Sequence, residues 1–132
     1  SAEKEETTRR YRAGEGAVLF ASSMARGVDF KGDDCRVQII AKVPFPNLGD
    51  PQVSARLHMG GGGGQTWFDV QTIRTIVQMS GRGVRSAEDH ATTYITDREF
   101  VTGIWTKRKS LFPRWWRDAV DASYPVANLT RP

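Results

Sequence analysis

The segment 78–85, with the sequence Gln-Met-Ser-Gly-Arg-Gly-Val-Arg, constrains this chain more than any other. Arg82 and Arg85 lie three residues apart, and in a helix or at its end this spacing places both guanidinium groups on one side. Arginine keeps its charge at any working pH and its planar fork matches phosphate oxygens, so the pair predicts a site for a polyphosphate or its transition state. A solvated basic face is the simpler interpretation, because cations also stabilise a helix end.

The composition predicts one soluble domain. The chain has 132 residues, 39% of them hydrophobic, with no apolar run long enough to cross a membrane and no recognisable leader. Cys35 is the only cysteine, which excludes an intrachain disulfide and favours a reducing compartment. The net charge is +4 and most of the positive residues are arginine, which suits a phosphate-rich partner.

Apolar patterning predicts an α/β fold with a parallel sheet and flanking helices. Continuous apolar or β-branched runs predict three strands, at residues 17–21, 36–43 and 91–96. Periodicity and capping residues predict four helices, at residues 2–13, 51–58, 67–81 and from 97 onward. The longest of these should bury a stripe formed by Phe68, Ile73, Ile76 and Val77, and should present the two arginines at its end.

Three local patterns resemble ligand sites, but their sequence context argues against ligand binding. Residues 60–64 are five glycines, yet Gln65 stands where a phosphate-binding loop needs lysine, so we expect a flexible linker. Glu88-Asp89-His90 resembles an acidic magnesium box but precedes a strand, which favours a solvated turn. His58 and His90 are isolated and predict no metal site.

Basic and aromatic residues alternate between positions 105 and 117. The pattern can indicate phosphate contacts combined with base stacking. The alternative, which we favour, is that the tryptophans anchor a terminal helix onto the sheet while the basic groups stay solvated.

Several segments resemble the helicases of superfamily two. Gln-x-x-Gly-Arg-x-x-Arg at 78–85 is similar to motif six, the arginine-finger segment of the second RecA-like motor domain, and Ala-Arg-Gly-Val-Asp at 25–29 is similar to motif V. The closer resemblance is to the XPD and DinG type of DNA helicase. It is carried by Gly-Val-Asp-Phe and Gly-Asp-Asp within 27–34, Lys-Val-Pro-Phe at 42–45 leading into Pro51 and Ala-Arg-Leu at 55–57, and Asp-Arg-Glu-Phe at 97–100 ending in Phe-Pro-Arg-Trp at 112–115.

The resemblance implies a partial RecA-like motor domain of the P-loop NTPase type. Residues 16–120 would be the C-terminal part of motor domain 2, after a weakly packed helix at 1–15 and before a surface or disordered tail at 121–132. The implied site residues are catalytic Arg85 and Arg82; nucleotide-binding Gln78, Gly81, Gly27 and Asp29; and nucleic-acid-binding Ser22, Ser23 and Arg26. The XPD type usually has glutamate immediately before the glycine of motif V. This chain has Arg26 there, and DEAD-box RNA helicases also have arginine at this position, so the choice between DNA and RNA stays open.

The implied activity is ATP-dependent movement along single-stranded DNA, in the nucleoid of the cytoplasm or in the nucleus. ATP and Mg²⁺ would be held mainly by a first motor domain of the same parent chain, because Walker A and Walker B residues are not found here, and we expect this segment alone to be inactive. No membrane is expected as a partner. A sheet without its upstream strands would leave an apolar surface, which predicts self-association.

Two alternatives share the same residues. The chain could be a nucleic-acid-binding module without nucleotide chemistry, or a regulatory domain that supplies an arginine in trans to a P-loop partner.

Overall fold

The computed structural model describes residues 2–16, 18–21, 30, 32–83 and 89–121. Within these ranges the sheet has two parallel strands, β1 (Val37–Ile40) and β2 (Thr92–Ile95), which pair in the register Val37 opposite Thr92. They correspond to the strands predicted at 36–43 and 91–96. The connection between them contains helices, as a parallel crossover requires, and the α/β prediction is confirmed.

Five α-helices are described: α1 (Ala2–Arg12), α2 (Pro51–Leu57), α3 (Gly63–Ser80), α4 (Thr106–Arg108) and α5 (Arg114–Asp121). A π-helical segment, Phe100–Trp105, leads directly into α4. The predicted start of α2 is confirmed, because Asp50 Oδ1 accepts a hydrogen bond from the Gln52 amide at 2.8 Å and Pro51 begins the helix.

The core lies between α3, the π-helical segment and α5. Phe68, Ile73 and Ile76 of the predicted stripe are buried and Val77 is partly buried, which confirms the apolar face of α3. The core cluster consists of Val43, Ile73, Ile76, Phe100, Ile104, Phe112 and Trp116.

The tryptophans follow the anchoring interpretation only in part. Trp116 is buried, and its Nε1 donates a hydrogen bond to Ser80 Oγ at 2.8 Å, so it fixes α5 to the end of α3. Trp105 packs edge-to-face against Trp116. Trp115, in contrast, is 64% exposed because it lies on the other side of a short helix whose buried side is occupied by Trp116.

The glycine run is not a flexible linker at its end. Gly63 and Gly64 belong to α3, and a Cβ on Gly64 would lie 2.1 Å from the carbonyl oxygen of Leu57. The missing side chain therefore allows α2 and α3 to approach each other at backbone distance. Gly61 and Gly62, with φ of 89° and 77°, supply the left-handed backbone of the turn between the two helices.

Residues 18–21 do not form the predicted buried strand. Val18 and Phe20 are exposed, Phe20 by 90%, and Leu19 is half-buried beside Tyr11 of α1. A continuous apolar run becomes a buried strand only when neighbouring strands and helices cover it. Within the described ranges the sheet consists of β1 and β2, and residues 18–21 pair with neither strand.

One face of the described sheet is uncovered. Val37 and Ile39 of β1 are 62% and 63% exposed, and Tyr94, which pairs with Ile39, is also exposed. Ile40 points to the opposite face and is buried, as the alternation of side chains along a strand requires. None of the helices described is long and apolar enough to span a membrane.

Candidate functional site

Arg82 lies in a tight turn directly after α3. The helix ends at Ser80, the Gly81 amide donates to the carbonyl oxygen of Val77, and Gly81–Gly83 form a 3₁₀ turn. Arg82 is half-buried in this turn, whereas Gln78 and Gly81 are exposed. The long helix thus ends in the first of the two predicted arginines, while Arg85 lies outside the described residues.

Gly83 holds this turn against the residues that precede the two strands. It is buried, and a Cβ at this position would lie 2.6 Å from the carbonyl oxygen of Cys35 and 2.5 Å from Cβ of Ala91. No side chain fits between these atoms, so the close approach requires glycine. Burial, with the nearby Asp34 carboxylate, raises the pKa of the Cys35 thiol, which therefore stays neutral in the packing around Gly83.

The turn that carries Arg82 is adjacent to the turn that follows the motif V-like residues. Gly32–Cys35 forms a second 3₁₀ turn, and Cys35 contacts Gly83. Both turns lie at the amino ends of β1 and β2, whereas ligands of open α/β sheets usually collect at the carboxyl ends. The reason is the order along the chain, because each turn leads into a strand. The remaining predicted site residues, Ser22, Ser23, Arg26, Gly27 and Asp29, lie outside the described ranges.

Arg36 and Asp89 form an ion pair beside these turns. Arg36 Nη1 donates to Asp89 Oδ1 at 2.6 Å and to the His90 carbonyl oxygen at 2.8 Å, and its Nε donates to Asp33 Oδ1 at 2.8 Å. The Asp89 side chain is only 9% exposed, so the prediction of a solvated turn is wrong for this residue. The hydrogen bonds to Asp33 and then to Asp89 raise the pKa of Arg36 above its ordinary value.

Sequence reasoning missed this pair, although a usable signal was present. Arg36 is the first residue of the strand predicted at 36–43, and Asp89 stands shortly before the strand predicted at 91–96. Adjacent parallel strands bring their amino ends together, so opposite charges at both ends indicate a contact.

The basic and aromatic segment near the C-terminal end contains a second ion pair. Arg108 Nε donates to Asp69 Oδ2 at 2.6 Å, and the Asp69 side chain is 8% exposed. The expectation that the basic groups of this segment stay solvated is therefore wrong for Arg108. The pair joins α4 to α3, and Gln65 donates a further hydrogen bond to Asp69 Oδ1 at 2.8 Å.

Metal ligands are not grouped in the part of the chain that the structure describes. These ranges contain no set of three or more His, Cys, Asp or Glu side chains that could hold an ion.

The fold and this site define a class of protein: an α/β domain in which a long helix ends in an arginine-containing turn at the amino ends of the parallel strands. Residues 1–119 match the helicase C-terminal domain family, and the chain belongs to that family. It is the C-terminal region of a superfamily two helicase of the XPD and DinG type, with a partial RecA-like fold, as the resemblance implied.

Known proteins similar to the chain are helicases. The ATP-dependent DNA helicase CHL1 of Candida glabrata is 26% identical over 87% of this chain, which covers 16% of that protein. The ATP-dependent DNA helicase YoaA of Escherichia coli is 34% identical over 67% of this chain and is covered over 15% of its length. The regulator of telomere elongation helicase 1 of Mus musculus is 27% identical over 80% of this chain and is covered over 10%. No solved structure matches the chain significantly.

Proposed function

We propose that this chain is a segment of an ATP-dependent DNA helicase and supplies Arg85 and Arg82 to ATP bound between two motor domains. The family match over residues 1–119 and the names of the helicase relatives support this function. In this proposal Arg85 is the arginine finger, Arg82 also contacts the γ-phosphate, and Gln78 and Gly81 shape the segment that carries them.

One observation carries the proposal. The turn Gly81–Gly83 and the turn Gly32–Cys35 are far apart in sequence, yet Gly83 is in contact with Cys35. The first turn contains Arg82, and the second follows the motif V-like segment that contains Gly27 and Asp29. Adjacent ends of the two segments support a single site to which both contribute.

The proposed chemistry is electrostatic. As the γ-phosphoryl group transfers, negative charge on its oxygens is offset by guanidinium groups that are already in place and need no reorganisation. Arginine suits this role because it stays charged and donates from a planar fork. ATP and Mg²⁺ would be held mainly by the first motor domain.

Nucleic-acid contact is assigned to the motif V-like region. Ser22, Ser23 and Arg26 would contact the backbone of single-stranded DNA, and closure of the cleft between the motor domains would be coupled to a step along the strand. A DNA substrate is compatible with action in the nucleoid or in the nucleus.

The proposal is tested in the intact helicase with Arg82→Ala and Arg85→Ala. Each change should lower kcat of DNA-stimulated ATP hydrolysis by about a hundredfold or more, because a contact made in the transition state is lost. Arg74→Ala, an exposed arginine on α3, is the matched control and should leave kcat unchanged. Full activity of both site variants would disprove the assignment, as would ATP hydrolysis by the 132-residue chain alone.

A second candidate function is nucleic-acid binding without nucleotide chemistry. The exposed side chain of Trp115 favours it, because an exposed indole beside Arg114 could stack on a base. Salt-dependent DNA binding by this chain that is lost in Trp115→Ala, together with normal ATP hydrolysis in Arg85→Ala of the intact protein, would select this function.

We also propose that this chain by itself associates with a second copy of itself. The support is the uncovered apolar sheet face around Val37, Ile39 and Tyr94.

A further inference from the structure

Two consecutive residues before β1 contact both ends of the segment that connects Gly83 to Asp89. The carbonyl oxygen of Cys35 contacts Gly83, and the guanidinium group of Arg36 binds Asp89 and the His90 carbonyl oxygen. In the chain, Gly83 directly follows Arg82. Cys35 and Arg36 therefore fix the chain next to Arg82, the arginine for which a phosphate contact is proposed.

Arg36 binds the segment 89–92, at the start of β2, through both its side chain and its backbone. Its side chain binds Asp89 and the carbonyl oxygen of His90, and its own carbonyl oxygen accepts the Thr92 amide at 2.9 Å. Ala91 is thus held between residues that are both bonded to Arg36. Because the Asp89 side chain is 9% exposed, the guanidinium group of Arg36 compensates part of a largely buried charge.

Gly83 packs between Ala91 and Cys35. We infer that Arg36 is a positioning residue for Arg82. By pairing with Asp89, Arg36 keeps Ala91 close to Cys35 and so fixes the turn that carries Arg82. The inference rests on the proposed contact of Arg82 with phosphate. In this scheme Arg36 acts on Arg82 through Cys35, Ala91 and Gly83.

The inference is tested by steady-state ATP hydrolysis of the intact helicase with Arg36→Ala in the wild-type and in the Arg82→Ala background. In the wild type, Arg36→Ala should lower kcat about tenfold and change KM for ATP less than about threefold, because a displaced charge stabilises the transition state poorly. In the Arg82→Ala background the same change should lower kcat less than about twofold, because its effect passes through the missing arginine. Arg36→Lys should restore part of kcat, since lysine keeps the charge but lacks the fork.

The matched control is Arg108→Ala. Its pair with Asp69 has the same N to O distance of 2.6 Å and nearly the same exposure, 36% and 8% against 34% and 9%, but it joins α3 to α4 instead of holding Gly83. Arg108→Ala should lower the melting temperature about as much as Arg36→Ala, and should leave kcat within about twofold of wild type.

Three results would overturn the inference: equal losses of kcat from Arg36→Ala in both backgrounds, an equal loss of kcat in Arg108→Ala, or unchanged kcat in Arg36→Ala while Arg82→Ala is impaired. Unchanged kcat in Arg82→Ala would overturn the proposed function itself. If Arg36→Ala does not fold, Asp89→Asn and Arg36→Lys are measured in the same two backgrounds. Asp89→Asn keeps the shape and removes the charge, and its loss of kcat should also disappear in the Arg82→Ala background.

Discussion

Asp97 connects the residues that follow β1 to the start of the helical segment that follows β2. Its Oδ2 accepts the Val43 amide at 2.9 Å, and its Oδ1 accepts the Glu99 amide at 3.2 Å. The hydrogen bond from Val43, with that from Glu99 and the charge of Lys42, lowers the pKa of the carboxyl group. The single carboxylate therefore both caps a helix and orients the chain that leaves the strand.

The lowered pKa of Asp97 predicts a loss of stability in acid. Because the folded pKa lies below the unfolded value of about 3.9, the contribution is complete above that value and is lost as pH falls through the folded pKa. Asp97→Asn should cost about 1 to 2 kcal/mol at neutral pH, because an amide has a single accepting oxygen and cannot serve Val43 and Glu99 from both ends of the side chain. It should also flatten the fall in stability below about pH 4.

Denaturant unfolding of the 132-residue chain at several pH values, followed by tryptophan fluorescence, measures both effects. Asp50→Asn is the control at neutral pH, because asparagine is as good an N-cap as aspartate and its Oδ1 can still accept the Gln52 amide. An Asp97→Asn variant that is as stable as the control at neutral pH would contradict this account.

At the scale of elements, the joint between α2 and α3 depends on backbone contact. Gly64 lies against the carbonyl oxygens of Leu57 and Arg56, which cannot rotate away as a side chain could. The neighbouring Gly63 belongs to the same helix, and a Cβ added there would meet nothing within 4 Å. The two glycines therefore differ in function although they are adjacent in a uniform run.

This contrast predicts opposite results for two alanine substitutions. Gly64→Ala should lower the free energy of unfolding by about 3 kcal/mol, because the methyl group overlaps the Leu57 carbonyl oxygen and the helices must separate. Gly63→Ala should leave it unchanged or raise it by up to about 1 kcal/mol, because alanine is the better helix former. Urea unfolding of both variants of this chain measures the difference, and equal stabilities would show that the helices are not in close contact.

At the scale of the whole molecule, the sheet face around Val37, Ile39 and Tyr94 should drive self-association of the chain. Analytical ultracentrifugation should show a concentration-dependent dimer or larger assembly, because association removes this apolar surface from water. Val37→Thr combined with Ile39→Thr should weaken the association while keeping β-branched residues in the strand. The control is Leu48→Thr, an exposed apolar residue outside the sheet. A wild-type chain that stays monomeric at high concentration would refute the prediction.

Local signals in the sequence determined the elements that frame the site. The N-cap Asp50, the apolar stripe of α3 and the β-branched run of β2 act over a few residues, and each formed as predicted. Because Arg82 comes shortly after the apolar stripe in the sequence, its place at the end of α3 was also predictable. The motifs in the sequence were sufficient to identify the family to which the chain belongs. These features need no knowledge of the tertiary arrangement, because capping and periodicity depend only on near neighbours.

Contacts between distant segments were decided only by the tertiary structure. Arg36 and Asp89 are 53 residues apart and Arg108 and Asp69 are 39 apart, so each contact depends on the elements that the fold places side by side. Gly83 became a contact because parallel pairing of β1 and β2 brings Cys35 and Ala91 together. An ion pair or a close backbone approach forms where the topology places both partners, whereas a cap or an apolar stripe carries both partners within one short stretch of chain.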